Sequence, residues 1–373
     1  MRRIPELDAI RGIAAVVIVV YHLWFPTHGF MGTAVDLFFV MSGYLITTII
    51  LKQRDQPGFL VTFYARRSLR IWPIYYLSLL VFLAINPALP KPWQTEALPY
   101  YLSYTQNLPS YWGAADPPFA HGFFHTWSLA VEEQYYLIWP LALVVLGRRA
   151  LLPLAGGLIV LAIVARIGGY SRWILLTKSD GLALGGVLAA LMVAAESGRV
   201  STPKLVKVLA GVGLGSVAYL ALGGPTHRFV ASAWSASGDP AVTLSIRMFA
   251  TNLMFFALIG LIVVFSGARR LGWLRDARLV ELGQMSYGIY LYHYILFDVV
   301  QEFADRFGVT NRVAIDAVKM VASFAIAAAS WRLVERPLLS LKGLFDYRKP
   351  RAEAPSRRAV QDVSRLEPLR TGA

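Results

Sequence analysis

Stretches of about twenty mostly apolar residues recur along this 373-residue chain, and they dictate what it can become. Ten are visible, at roughly 8–25, 31–51, 71–89, 121–146, 151–170, 178–195, 204–223, 244–266, 282–303 and 313–334. A hydrocarbon core ~30 Å thick is crossed by ~20 residues of α-helix. Within lipid, a helix satisfies all of its own backbone hydrogen bonds. The expected fold is therefore an all-α polytopic bundle of about ten transmembrane helices. Composition agrees, with 56% of residues apolar and only 16% charged. Residues 1–346 read as one transmembrane domain. Residues 347–373, polar and proline-bearing, read as a basic, disordered cytoplasmic tail. Arg2 and Arg3 before an apolar run resemble a signal peptide, but no small-residue cleavage site follows, so the first helix is expected to be retained. Residues 90–120, rich in Pro, Tyr and Trp, read as a long loop at the interface, where aromatic rings settle.

The net charge of +14 would suggest nucleic acid in a soluble protein, but its distribution argues otherwise. The N-terminus, the loops after even-numbered spans and the tail together hold 25 of the 36 Lys and Arg residues; the other loops hold eight. Positive residues stay cytoplasmic, so both termini are expected to face the cytoplasm. The charge is a topology signal, and no nucleic-acid partner is expected. The absence of Cys excludes disulfides and thiolate metal sites.

Ionisable residues within spans are costly and usually face a cavity or a partner. Arg11 and His22 on the first span are eleven positions apart, so they return to within about 20° of one face, ~16 Å apart along the axis. Both can line one channel, although Arg11 could instead snorkel to headgroups and His22 sit at the outer interface. Asp36, at the start of the second span, lies at a depth comparable with His22. It can orient that imidazole or simply favour the helix N-terminus. Ser42 and Gly43 follow, deeper, and Gly43 permits close helix packing. The connection FYARRSLRIWPIYYL places Arg67 and Arg70 three apart, with Arg66 beside them. Such a cluster suits phosphates, or anionic lipid, or topology alone. The fourth span, HGFFHTWSLAVEEQYYLIWPL, sets His125 and Glu132 seven apart on one face, with Glu133 about 100° away. Packing does not explain two adjacent carboxylates, so at least one is expected at a polar cavity. The ninth span carries Ser286, Tyr290 and His293 as another polar stripe, in which His293 could be purely structural. His28 and His227 look incidental, and the histidines lack a compact metal-ligand spacing.

Taken together, these residues resemble the acyltransferase-3 family of membrane enzymes. RGIAAVVIVVYH is similar to its R-x10-H motif and DLFFVMSGYLI to its FFVxSGF/YL stretch. RSLRIWPIYYL resembles its RxxR motif, and HTWSLAVEEQYYLIWP its WSLxxExxFY segment. DGLALGGVLA, SYGIYLYH and the closing VERP resemble further family segments, and the order runs from Arg11 to Pro337. The resemblance implies transfer of an acyl group, commonly acetyl from acetyl-CoA, to a hydroxyl of a carbohydrate or glycolipid in the bacterial cytoplasmic (inner) membrane. Some members carry a fused SGNH hydrolase-like domain. This sequence reads as a stand-alone form, which acylates its acceptor directly or hands the group to a separate SGNH-type partner.

The two readings join in one expectation. Arg67 and Arg70, with Arg66 and Arg11, hold the phosphates of acyl-CoA, which is a co-substrate and not a resident cofactor. The pantetheine arm threads towards His22, the general base or a transient acyl carrier. Glu132, Asp36 or His125 orients that imidazole, while Ser42, Tyr290 and His293 contact substrate, and no metal is required. The rival class is a transporter or flippase for a glycan or lipid-linked intermediate, with the same stripes forming its path. A non-catalytic scaffold in an envelope-synthesis complex is the third. Consumption of a thioester separates the enzyme from both.

Overall fold

The computed structural model describes residues 3–25, 29–88, 95–108, 121–234 and 240–347. The expected tail beyond 347, most of the 90–120 loop, and His28 lie outside these residues, as does the side chain of His227. Ten long helices carry the fold: α1 (Pro5–Trp24), α2 (Ala34–Gln53), α3 (Phe59–Ile85), α4 (Trp127–Leu146) and α5 (Leu151–Ile167), then α6 (Leu175–Glu196), α7 (Thr202–Trp234), α8 (Pro240–Val264), α9 (Ala277–Arg306) and α10 (Arg312–Ser330). Among the described residues nine helical segments are long and apolar enough to cross a membrane. The remaining long helix, α9, is 30 residues long but too polar to join them, and it buries Ser286, Tyr290 and His293 inside the bundle.

Local chemistry sets the ends of these helices. Pro5 occupies the first turn of α1, where a missing N–H does no harm. Asp276 caps α9 by accepting from the Arg278 and Leu279 amides, and Asn311 caps α10 by accepting from Ala314 at 3.1 Å. One boundary differs from expectation. The arginine-bearing stretch before residue 71 is no loop: α3 is continuous from Phe59 and turns Arg66, Arg67 and Arg70 inward on its first turns. Charge interrupts hydropathy there without interrupting helical geometry.

Two glycine contacts fix the frame. A Cβ on Gly43 of α2 would collide with the backbone of Leu182 on α6, and one on Gly185 of α6 with that of Val40. On the other side of the bundle, a Cβ on Gly283 of α9 would strike the backbone of Asp8 on α1. Small residues let these backbones approach as they do in membrane helix pairs. In both pairs the contacts advance together, Asp36 to Lys178 then Lys52 to Glu196, and Gly12 to Gly283 then His22 to His293. Each pair therefore runs parallel, as spans of equal parity must. α5 and α8 pack on α6, α7 on α8, and α10 on α9. The stretch 95–108, part of the expected 90–120 loop, tucks against α3 and α4. Tyr101 and Tyr104 are buried, Tyr75 Oη donates to the Tyr101 carbonyl at 2.9 Å, and Gln134 Nε2 donates to that of Tyr104 at 3.0 Å.

Candidate active site

A cavity of about 950 Å³ lies between α1, α2, α3, α4 and α9. One side of α2 lines it from Val35 to Gln53, ~27 Å of helix, so it runs through most of a bilayer's thickness. The resemblance-based set divides around it. Arg11, Arg66, Arg67, Arg70, Ser42, Glu132 and Tyr290 line this space; His22, Asp36, His125 and His293 do not.

Its cationic end gathers residues from four places in sequence. Arg11 comes from α1, Arg66, Arg67 and Arg70 from the first turns of α3, Lys52 from the end of α2, and Lys342 from beyond α10. Lys342 was not among the expected residues and lies within the electrostatic reach of all four arginines. Its only sequence signal was its basic charge on the even-numbered side of the last span. Arg67 lays its guanidinium over the Tyr136 ring at 3.7 Å, and its Nε is buried with no hydrogen-bond partner among the described residues. Arg66 departs from expectation, being engaged by Asp346 at 2.8 Å and by the Phe345 carbonyl at 2.9 Å. Midway along, Ser42 Oγ donates to Glu132 Oε1 at 2.7 Å. Glu132, expected to orient His22, thus serves the cavity, while Glu133 accepts from Trp72 Nε1 at 3.0 Å.

At the far end the cavity stops at Ser128, Ser286 and Tyr290. Tyr290 Oη lies 2.6 Å from Ser128 Oγ and donates to the His125 carbonyl at 2.6 Å. Ser286 Oγ is buried without a hydrogen-bond partner among the described residues. Behind Tyr290 stand three imidazoles: His22 and His293 stack at 5.1 Å, and His125 meets His293 edge-on at 4.9 Å. The expectation that Arg11 and His22 line one channel is therefore corrected. α9 runs alongside α1 and inserts Tyr290 and His293 between His22 and the cavity. His293, expected to touch substrate, is fully buried and holds His22 instead.

The hydrogen-bond pattern determines the tautomers. His293 Nδ1 lies 2.6 Å from the Tyr290 carbonyl, an acceptor only, so that nitrogen carries the proton. Its Nε2 is then an acceptor, facing His22 Nδ1 at 3.1 Å. Facing that acceptor, His22 carries its proton on Nδ1. His22 Nε2 is left as the basic nitrogen, the arrangement a general base needs. The expected partners of His22 differ accordingly. Asp36 is bonded to Lys178 at 2.9 Å, in a buried pair, rather than to the imidazole. His125 sits in a 3₁₀ stretch, His121–Thr126, ahead of α4, so the seven-residue spacing to Glu132 does not put them on one helical face. Its Nε2 donates to the Leu291 carbonyl at 3.2 Å.

Comparison with known proteins adds a second line. Residues 4–332 match the family model described as an acyltransferase domain. The chain is 28% identical to the peptidoglycan O-acetyltransferase OatA of Listeria monocytogenes, over 93% of this chain and 57% of that protein. It is 28% identical to the O-acetyltransferase OatA of Staphylococcus aureus, over 90% of this chain and 57% of the relative. A putative O-acetyltransferase of Staphylococcus aureus is 38% identical over 39% of this chain and 26% of its own length. The chain thus spans little more than half the length of the OatA proteins it matches. No solved structure matches it.

Proposed function

The chain belongs to the acyltransferase-3 family, and from that premise we propose that it is a membrane O-acetyltransferase moving acetyl from acetyl-CoA to a carbohydrate hydroxyl of the bacterial cell envelope. A peptidoglycan-type glycan is the acceptor that the name of its Listeria relative points to. One observation carries this reading: a membrane-deep cavity that starts at unpaired arginines and ends against a Tyr–Ser–His cluster. Arg67 and Arg70, with Arg11 and Lys342, hold the donor's phosphates, because guanidinium forks match phosphate oxygens. The pantetheine arm then lies along α2. Arg11 and His22 are ~16 Å apart along α1, a distance of the order of that extended arm. Ser42, Ser286 and Ser128 offer polar contacts to its amides.

In the reaction His22 Nε2 takes the acceptor's hydroxyl proton while the alkoxide oxygen bonds to the acetyl carbon. The C–S bond breaks, and the proton passes to the departing thiolate, giving CoA-SH and the ester. His293 is a positioning residue here, fixing the His22 tautomer through Nδ1. Tyr290 separates cavity and imidazole, so the thioester reaches His22 only when that ring leaves Ser128 and the His125 carbonyl. With the donor mouth on the cytoplasmic side, both termini face the cytoplasm and the protein sits in the inner membrane.

The test uses the full chain in nanodiscs with acetyl-labelled CoA and a glycan acceptor. His22→Ala should lower transfer by about 10²–10⁴-fold, the range for loss of a general base, with CoA binding retained. Transfer at the wild-type rate in that variant overturns the role of His22. Glycan movement without thioester consumption would instead establish a transporter.

A further inference from the structure

The mouth of the cavity is bordered by the segment that follows α10. After a π-helical turn (Trp331–Glu335) the chain makes a 3₁₀ turn (Leu341–Leu344) and returns over α3. Three interactions hold its end. Arg66 bonds the Phe345 carbonyl and Asp346, and the same guanidinium lies 5.5 Å from the centre of the Tyr347 ring. Tyr347 stacks on Phe59 with centroids 6.0 Å apart and planes 21° from parallel. The ring is half-buried and lines the cavity, as does Gln56, whose Oε1 is buried without a hydrogen-bond partner among the described residues. Spanning a membrane requires none of this. An ion pair, a cation–π contact and an aromatic stack fix one ring on the wall of a cationic passage, and that ring stacks on Phe59, whose amide bonds the Gln56 carbonyl.

A flat aromatic face, a side-chain amide and neighbouring phosphate-binding cations together match a purine nucleotide. A glutamine amide reads adenine with two bonds, its oxygen accepting from the exocyclic amine and its nitrogen donating to a ring nitrogen. We propose that Tyr347 and Gln56 form a base subsite for the adenine of the acyl donor, with Arg66 as the residue that positions Tyr347. This rests on the acyl-CoA reading above and deepens it. The subsite makes the protein prefer CoA thioesters over donors that carry only a phosphopantetheine arm, as acyl carrier proteins do.

The experiment measures binding of CoA and of 4′-phosphopantetheine to the purified full chain in nanodiscs. Wild type should bind CoA more tightly than the shorter probe. Tyr347→Ala should weaken CoA binding about tenfold, the scale of one base–aromatic stack, and leave 4′-phosphopantetheine unchanged. Gln56→Leu should lower the ratio of the two affinities less, and Tyr347→Phe, which keeps the ring, should retain it. A ratio unaltered by both Tyr347→Ala and Gln56→Leu overturns the subsite, and so does an equal loss of both probes. Failure of wild type to bind either probe would instead remove the donor reading on which the subsite rests.

Discussion

Two sets of charges lie inside this bundle, and it handles them in opposite ways. Where α2, α5 and α6 meet, every charge has a partner. Lys178 bonds Asp36 at 2.9 Å, and Arg166 meets both oxygens of Asp180 at 3.0 and 2.9 Å, with further bonds to the Thr177 carbonyl and Ser245. Around the cavity, Arg11, Arg67 and Arg70 form no ion pair within 4 Å with any described residue. Like charges gathered in a low-dielectric region repel and lack their hydration, so such a cluster calls for an anion from outside. A charge paired within the helices is architecture; a charge left open around a cavity is free to meet a ligand. The same distinction sets Arg66 apart from its neighbours: tied to Asp346, it belongs to the wall of the cavity.

The contrast can be broken most decisively at Asp180. Asp180→Ala leaves Arg166 buried and unpaired, and should cost about 3–5 kcal/mol, seen as a collapse of the thermal midpoint and of monodisperse protein in detergent. Arg70→Ala should act in the reverse sense. The midpoint should hold or rise, because one member of a repelling cluster is gone, while CoA affinity falls about 10- to 100-fold, as expected for lost charge-assisted hydrogen bonds. Arg67→Ala should behave alike. If Arg70→Ala destabilises the fold as much as Asp180→Ala, the cavity arginines are structural after all.

Much of this architecture was legible in the sequence because lipid imposes a simple length rule. All ten apolar stretches contain helices, and the ninth, 282–303, was legible as one of them although α9 is too polar to pass as a free-standing span. The start of α3 was not legible, since three arginines in five residues interrupt hydropathy whether they face water, headgroups or an internal cavity. The phase of His125 was lost because the α-helical period was carried across a 3₁₀ stretch, whose turn is tighter. The partners of His22 and Asp36 were illegible for another reason. His293 and Lys178 are 271 and 142 residues away, and one sequence does not say which spans are neighbours. Tyr347 and Lys342 were absorbed into a count of basic residues or a tail, and only the return of the chain over α3 brings them to the cavity.

The smallest effect sharpens the boundary between the two sets, because Asp36 lies close to it. Val35 lines the cavity and Asp36 does not; its carboxylate faces Lys178, and that ammonium lies near the Phe39 and Trp127 rings. If the pair is architecture, replacing it whole should matter little. Asp36→Leu combined with Lys178→Met removes two desolvated charges together and substitutes apolar volume, an exchange that is often neutral or mildly stabilising. Either single change strands its partner and should cost several times more, on the order of 3 kcal/mol. The thermal midpoints of the three variants give the coupling, and acetyl transfer measured on the same samples gives the role. Near-normal transfer by the double variant keeps Asp36 within the frame. A folded double variant that has lost transfer would return Asp36 to the chemistry around His22, and would move the line between paired and open charges one helical turn nearer the imidazoles.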